Sequence, residues 1–459
     1  MRSRAFALGS ILAVACGART DLDSLADRDP GEEICNGRDD DGDGLVDEGL
    51  GEASCGLGAC RITVPACVDG VSQTCTARQP TTETCNGEDD DCDGAVDEGL
   101  PFGLRSGPHL IDPQLSYLAY GMIVPSSAGF FVAYGTGFDG SAPTPNVHVA
   151  RLGPSGAPLG STEVLTERLM PNGLRLTRAN DGWLASYCGR FGTEDRAATG
   201  LLSDAGAFTE FGLRPPANNH CGAGVPDGAV TPERLLFAFV DNSNSEVWLD
   251  VSGQNGQTED HRLLDERGDY RSMPRFATLG ARTLLTYSVF DGERSLLRVH
   301  RLRSDGADVG EPLEIAAPGQ PAGFRDAALA AGAAGFVLLA HDEAGTALRI
   351  RFDADGSVLS GPEPVDALAG LAQLAFAADA AGGFVATGAA ADEIAFAARL
   401  DEDGEVTALW RSNSAPELAG RYLAFPMVAA GGGSVLYGYT DIALGNEPPL
   451  EVIELGCVP

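Results

Sequence analysis

Lysine is missing from this chain: all 31 basic residues are arginine, set against 66 acidic ones, for a net charge of −35. The missing lysine reads as a bias towards GC-rich codons. The acidic excess is more informative, because a strongly negative field repels phosphate and so argues against nucleic-acid or anionic-membrane binding. Histidine is scarce, and the six present (His109, His148, His220, His261, His300 and His341) are scattered with no pair at ligand spacing. A Gly-x-Ser-x-Gly elbow, a phosphate loop and a His-Glu-x-x-His helix are all lacking, which removes the familiar hydrolase, nucleotide-binding and zinc-protease signatures. No apolar run approaches 18 residues, so no membrane-spanning helix is expected. With 459 residues and 44% hydrophobic composition the chain is globular and longer than one ordinary domain.

The amino end reads as an export signal. Arg2 and Arg4 precede an apolar run from Ala5 to Ala15, too short to span a bilayer, which ends in Ala15-Cys16-Gly17. Leu12-Ala-Val-Ala-Cys16 resembles the lipobox of bacterial lipoproteins, with its leucine one place early, so Cys16 is the expected lipidation site. Residues 1–16 are then a signal peptide and residues 17–32, acidic and without periodicity, a flexible tether. The cysteines agree with export. Of eleven, a lipidated Cys16 leaves ten, an even number suited to disulfides.

Seven of those ten lie between Cys35 and Cys92, in a segment (residues 33–100) with too little apolar surface to fold without disulfides or metal. The other three are Cys188, Cys221 and Cys457, so if every thiol is paired at least one bridge leaves the cysteine-rich segment. Cys457 is the candidate for it, and Cys188 with Cys221 are a natural pair. The spacings from Cys55 to Cys75 are not Cys-x-x-Cys and no histidine is near, so structural disulfides are favoured over zinc.

An acidic cassette occurs twice in this segment. Cys35-Asn-Gly-Arg-Asp-Asp-Asp-Gly-Asp-Gly-Leu-Val-Asp-Glu48 returns as Cys85-Asn-Gly-Glu-Asp-Asp-Asp-Cys-Asp-Gly-Ala-Val-Asp-Glu98. Carboxylates at alternate positions followed by glycine are the oxygen-ligand spacing of a calcium loop. The expected ligands are Asp39, Asp41, Asp43, the carbonyl of Leu45, and Asp47 or Glu48. In the second copy they are Asp89, Asp91, Asp93, the carbonyl of Ala95, and Asp97 or Glu98. The side-chain donors are hard oxygens with no histidine or methionine, which favours calcium over copper.

The cassette closely resembles the MopE-type metal-binding motif repeats of secreted proteins of Gram-negative bacteria, whose pattern runs Cys-Asn-Gly-x-Asp-Asp-Asp-Cys-Asp-Gly-x-x-Asp-Glu. The resemblance covers about 28 of the 459 residues and implies metal binding and export, not a reaction. It also implies a bridge Cys85–Cys92. The first copy departs at Gly42, where the pattern has cysteine, so that bridge has no counterpart and Cys35 is left over.

From residue 101 a different pattern begins. Short apolar strands recur about every 50 residues, among them Gly129-Phe-Phe-Val-Ala-Tyr134, Thr283-Leu-Leu-Thr-Tyr287 and Gly335-Phe-Val-Leu-Leu-Ala340. A second marker keeps step, as in Arg301-Leu-Arg-Ser-Asp-Gly306 and Arg351-Phe-Asp-Ala-Asp-Gly356, where a strand runs into a hairpin turn. Seven units of about 51 residues predict an all-β protein: a seven-bladed β-propeller over residues 101–459, preceded by the small disulfide-rich metal-loop module. The last unit stops after a third strand at residues 450–457, and residues 104–111 are expected to supply its fourth, removing a free sheet edge.

Inner strands expected at residues 118–122, 326–331, 372–377 and 423–427 are small and apolar, which reads as a packed core. The Asp353/Asp355 and Asp401/Asp403 pairs lack a third carboxylate and read as hairpin turns. Arg175, Arg275, Arg325 and Arg421 sit at the start of inner strands, where a partial ring of guanidiniums would attract an anion. The expectation is an exported monomer at the outer membrane or cell surface, touching the membrane through its lipid alone. Calcium stabilises its front module, and its propeller binds a protein or surface polysaccharide. The alternatives are a propeller hydrolase or lyase acting on a glycan, and a copper-capturing surface protein.

Overall fold

The computed structural model describes residues 33–458, apart from residues 87, 95, 96, 98, 114–120, 127, 137–145, 166–168, 181, 192, 193, 206, 214–220, 222–224, 242–244, 269–272, 319–322, 380, 381, 391–393, 432 and 443–447. The expected lipidation site Cys16, the carbonyl of Ala95 and the Glu98 carboxylate lie outside these residues. Most of the inner strand expected at residues 118–122 does too. Among the described residues no helix is long and apolar enough to cross a membrane.

The described residues divide into two compact units, residues 33–56 with 60–79, and residues 57–59 with 80–458. The small unit is built from two short antiparallel pairs, Glu52–Cys55 with Ile62–Pro65 and Cys67–Val68 with Val71–Ser72. Exposed Ile34, Val46, Leu57 and Val71 show how little apolar surface the front of the chain buries. Disulfides Cys35–Cys67 and Cys55–Cys75 staple the small unit instead.

The large unit is a seven-bladed β-propeller. Blades 1 to 6 occupy residues 122–165, 169–213, 227–265, 275–315, 324–364 and 371–411, each a four-stranded antiparallel meander. Blade 7 takes three strands from residues 423–457, and Phe102–Asp112 pairs with Leu450–Cys457 as its fourth. The start of the propeller thus completes its last sheet, as expected from the sequence, so that all seven blades have four strands.

Packing explains the sequence pattern blade by blade. The second strand of each blade is covered on both faces by neighbouring blades, so it is continuously apolar rather than alternating. Every residue of Leu235–Asp241, Gly335–Asp342 and Ser434–Asp441 is buried. Between blades 4 and 5, Leu284, Leu297 and Val299 meet Phe324, Leu338 and Phe352 in one cluster, each such side chain stabilising by about 1.5–3 kcal/mol. First strands converge on the axis and touch one another in a closed ring. Small residues such as Ala327, Ala330, Ala375 and Ala377 fit that taper.

The hairpin glycines have a second reason to be glycine. Gly306 and Gly356 take φ values of 83° and 80° and lie against the preceding blade. A Cβ at Gly356 would fall 2.6 Å from Leu284 Cδ2. The same turns carry ion pairs across blades: Asp355 meets Arg282 at 3.4 Å, and Asp403 meets Arg351. Asp353 and Asp401 each accept two backbone N–H bonds inside their own turns. Turn chemistry accounts for all four aspartates.

The large unit also holds two disulfides, Cys188–Cys221 and Cys85–Cys457. The second corrects the Cys85–Cys92 bridge implied by the motif resemblance. Pairing of the closing strand sets Phe102 opposite Cys457, and Cys457 meets Cys85, the first residue of the second cassette, with the two Cα atoms 5.7 Å apart. Cys35 is not left over either, since Cys67 takes it. Cys60 and Cys92 are disulfide-bonded as well.

Candidate functional site

Two kinds of site emerge, a pair of acidic loops and a cavity on the propeller axis. Where both are described, the loops share backbone features. Asp47 and Asp97 both adopt left-handed φ, 57° and 55°, and Gly44 and Gly94 take 96° and 102°. A plan of hydrogen bonds shared by the two copies holds this. The Asn36 side chain accepts from Arg38 N–H and donates to Asp40, while Asn86 accepts from Glu88 N–H and donates to Asp90. Asp47 accepts from the Asn36 N–H at 2.8 Å, and Asp97 accepts from that of Asn86 at 3.0 Å. Asp47 and Asp97 therefore brace the loops.

A glutamate two residues before each cassette cysteine was not singled out in the sequence. One oxygen of Glu33 accepts from the N–H groups of Asp40 and Asp41 at 2.8 and 2.9 Å, and the other accepts from Asp47 N–H at 2.9 Å. Glu83 repeats this with Asp90, Asp91 and Asp97 at 2.7, 2.8 and 3.0 Å. The signal was there to be found: Glu-x-Cys-Asn-Gly occurs at both copies.

Held this way, the loops gather carboxylates. Oxygens of Asp39, Asp41 and Asp43 lie within 4.8 Å of one another, as do those of Glu33, Asp41 and Glu48, and those of Glu83, Asp89 and Asp91. Each ionised pair at such a distance repels by about 1–4 kcal/mol at effective dielectric constants between 80 and 20. The Glu48 carboxyl is held above its ordinary value. Its own backbone hydrogen bond draws it down, but desolvation and the charges of Asp43, Glu33 and Asp41 outweigh that.

The two copies differ in burial. Asp39 is exposed, and its oxygens accept from Gly42 and Gly44 N–H at 2.6 and 3.0 Å. Asp89 is only 4% exposed. Its Oδ2 accepts from Gly94 N–H at 3.1 Å, and its buried Oδ1 has no hydrogen-bond partner among the described residues. Residues 57–59 cause the burial: Ala59 N–H donates to the Asp89 carbonyl at 2.8 Å, and a Cβ at Gly58 would lie 2.3 Å from that oxygen. The donor set fits a hard divalent cation. Glu83, Asp89 and Asp91 in one loop, and Asp39, Asp41, Asp43 and Glu48 in the other, are all oxygen donors, and an unpaired buried carboxylate oxygen is what a cation would satisfy. Leu45, whose carbonyl was an expected ligand, donates its N–H to Asp43 at 2.8 Å.

On the axis lies a cavity of about 770 Å³ lined mainly by residues within or just before the first strands of the blades, from Gly121 ahead of the first blade to Phe425 in the seventh. Arg175, Arg275 and Arg325 line it. Arg421 does not, correcting the expected ring of four: it turns to Glu451 and Asp441, the latter fully buried. The inner strands are packed along their length, but their first residues open onto this polar space. Among the described residues neither the Arg175 nor the Arg325 side chain has a hydrogen bond or ion pair, and the Arg275 guanidinium donates only to the Pro274 carbonyl at 2.8 Å. Burial first, and then the neighbouring charge of Arg275, bring Arg175 down to about 10, so it stays protonated at neutral pH.

Sequence reasoning missed the other members of this cavity. Asp326, His341, Glu343 and Gln373 line it, and Phe425 enters it at a left-handed φ of 56°, its N–H donating to Gln373 Oε1 at 2.7 Å. Nearby Asp227 is buried, accepts from Gly228 and Phe276 N–H at 3.0 and 2.9 Å, and is pushed above its ordinary value by that burial despite both arginines.

No known protein-family description and no curated protein matches the chain. Solved structures do. An unknown-function protein from Dyadobacter fermentans is 11% identical, with 78% of this chain and 100% of that one covered at a TM-score of 0.45. Raptor from Chaetomium thermophilum is 13% identical over 78% of this chain and 29% of its own, at 0.46. A puromycin hydrolase is 17% identical over 77% of this chain and 54% of its own, at 0.43. Such values carry no inference about what the chain does.

Proposed function

We propose that this is an exported, lipid-anchored surface protein whose two acidic loops bind calcium and whose propeller binds a protein or polysaccharide partner. One observation carries the calcium reading: two loops 50 residues apart in sequence share one hydrogen-bond plan that converges carboxylates. Repulsion within each cluster is removed by a divalent cation, and calcium's flexible all-oxygen coordination suits loops of this kind. Thiolates are not on offer to copper, since the cassette cysteines are in disulfides. The MopE-type resemblance points the same way for metal and for export, and disulfides belong to oxidising compartments. The cation's role is structural, neutralising loops that otherwise oppose their own folding.

Calorimetric titration of metal-stripped protein tests this. Calcium uptake at two sites, with a rise in melting temperature that chelator reverses and copper does not reproduce, is the expected result. Absence of both uptake and thermal response overturns it.

A further inference from the structure

We propose that the axial cavity is the ligand site of the propeller and that it takes a carboxylate-bearing sugar. This rests on reading the propeller as the partner-binding part of the protein, and it is independent of the calcium loops.

Three features point to a ligand. Arg175, Arg275 and Arg325 come from blades 2, 4 and 5, so only closure of the ring brings them to one cavity. In a chain with 66 acidic residues, carboxylates are abundant, and several arginines elsewhere in the propeller hold one: Arg178 meets Asp204 at 2.6 Å and Arg349 meets Glu363 at 3.0 Å. The three axial guanidiniums have none within ion-pair distance among the described residues. Asp227, which lies close enough to interact with two of them, is committed to backbone N–H groups instead. Planar, forked donors left unpaired in a partly dehydrated cavity match a planar carboxylate.

The second feature is His341. Its side chain is fully buried and lines the cavity, and its Nε2 has no hydrogen-bond partner among the described residues. Burial keeps the ring neutral, its proton affinity lowered, so Nε2 is placed to bond a neutral hydroxyl rather than to add charge. The third is Phe425. A bulky residue at positive φ is an outlier that persists where the surroundings over-determine it, commonly at ligand clamps. Here the Gln373 amide fixes it, and the aromatic side chain supplies an apolar surface for the face of a sugar ring.

The mixture selects the ligand class. Asp326 and Glu343 stand among the arginines, which disfavours a dense polyanion but suits a molecule with one acid group among hydroxyls that need acceptors. At about 770 Å³ the space falls within the range of small-ligand pockets.

The test is titration of the calcium-saturated full chain with free glucuronate, a glucuronate-bearing hyaluronan tetrasaccharide, neutral cellotetraose and inorganic phosphate. An acidic sugar is expected to bind with Kd below about 1 mM, with cellotetraose and phosphate at least tenfold weaker. Arg175→Gln and Arg275→Gln should each weaken binding about tenfold or more. Arg325→Gln, at an exposed position, guards against misfolding as the cause and should show the same direction with an unchanged melting temperature. The proposal is overturned if neither acidic sugar binds, if neutral and acidic sugars or phosphate bind alike, or if the arginine variants keep full affinity. Calcium uptake and its thermal shift, recorded on the same samples, report the acidic loops separately, so either reading fails without the other.

Discussion

Replacing Glu83 by glutamine isolates the hydrogen-bond plan of the second loop from its shape. Glu83 accepts three backbone N–H bonds, two at Oε1 from Asp90 and Asp91 and one at Oε2 from Asp97. Glutamine has one acceptor oxygen. If that oxygen serves Asp90 and Asp91, the NH2 group faces the Asp97 N–H, donor against donor. If it serves Asp97, two donors are stranded instead. At least one charge-assisted bond is lost whichever way the amide turns, and such bonds contribute about 1.5–3 kcal/mol each. Loss of the Asp97 brace also frees the segment that arranges Asp89 and Asp91, so calcium affinity should fall about tenfold or more. Urea denaturation with calcium and with chelator reads the first effect, and calorimetric titration reads the second. Glu33→Gln is an independent repeat in the other unit, where the three bonds are the same. A Glu83→Gln variant with wild-type stability and wild-type calcium affinity would refute the reasoning.

Three further outcomes are expected. Asp89→Asn should weaken calcium binding more than Asp39→Asn, because the Asp89 Oδ1 is buried and unpartnered while both Asp39 oxygens already accept N–H bonds; site-resolved calcium titration of the two variants compares them. Gly356→Ala should cost about 2–4 kcal/mol, combining left-handed backbone strain with overpacking against Leu284, and should lower the urea midpoint without altering calcium uptake. His341 has a proton affinity lowered by burial, so the unfolded chain takes up a proton near pH 6.5 while the folded chain resists it. The stability it confers is present above about pH 6.5 and is lost as pH falls below that value. Denaturation midpoints of wild type and His341→Gln at pH 7.5 and pH 5 should therefore converge in acid, and parallel profiles would count against a buried neutral imidazole.

Much about this protein was settled along the chain itself. The propeller was legible because blades are local: strands of a meander are joined by short turns, so apolar runs and Asp-Gly turns repeat at blade length with no need to know what packs on what. Closure by Phe102–Asp112 was legible for a related reason, since a missing fourth strand at one end and a surplus strand at the other are visible in the count. The cassettes declared their carboxylates because loop ligands are contiguous. What folding alone decided were meetings between distant residues. Arg175, Arg275 and Arg325 converge, and Arg421 leaves for Glu451, according to the side-chain partners each inner strand finds at the axis. His341, Gln373 and Phe425 joined them without any linear signature. Cys85 chose Cys457 over Cys92, because sheet closure set those two ends side by side. Residues 57–59 buried one acidic loop and left its twin exposed. Spacing specifies which atoms are within reach of each other locally; only the packed fold specifies dielectric, pairing and who remains without a partner.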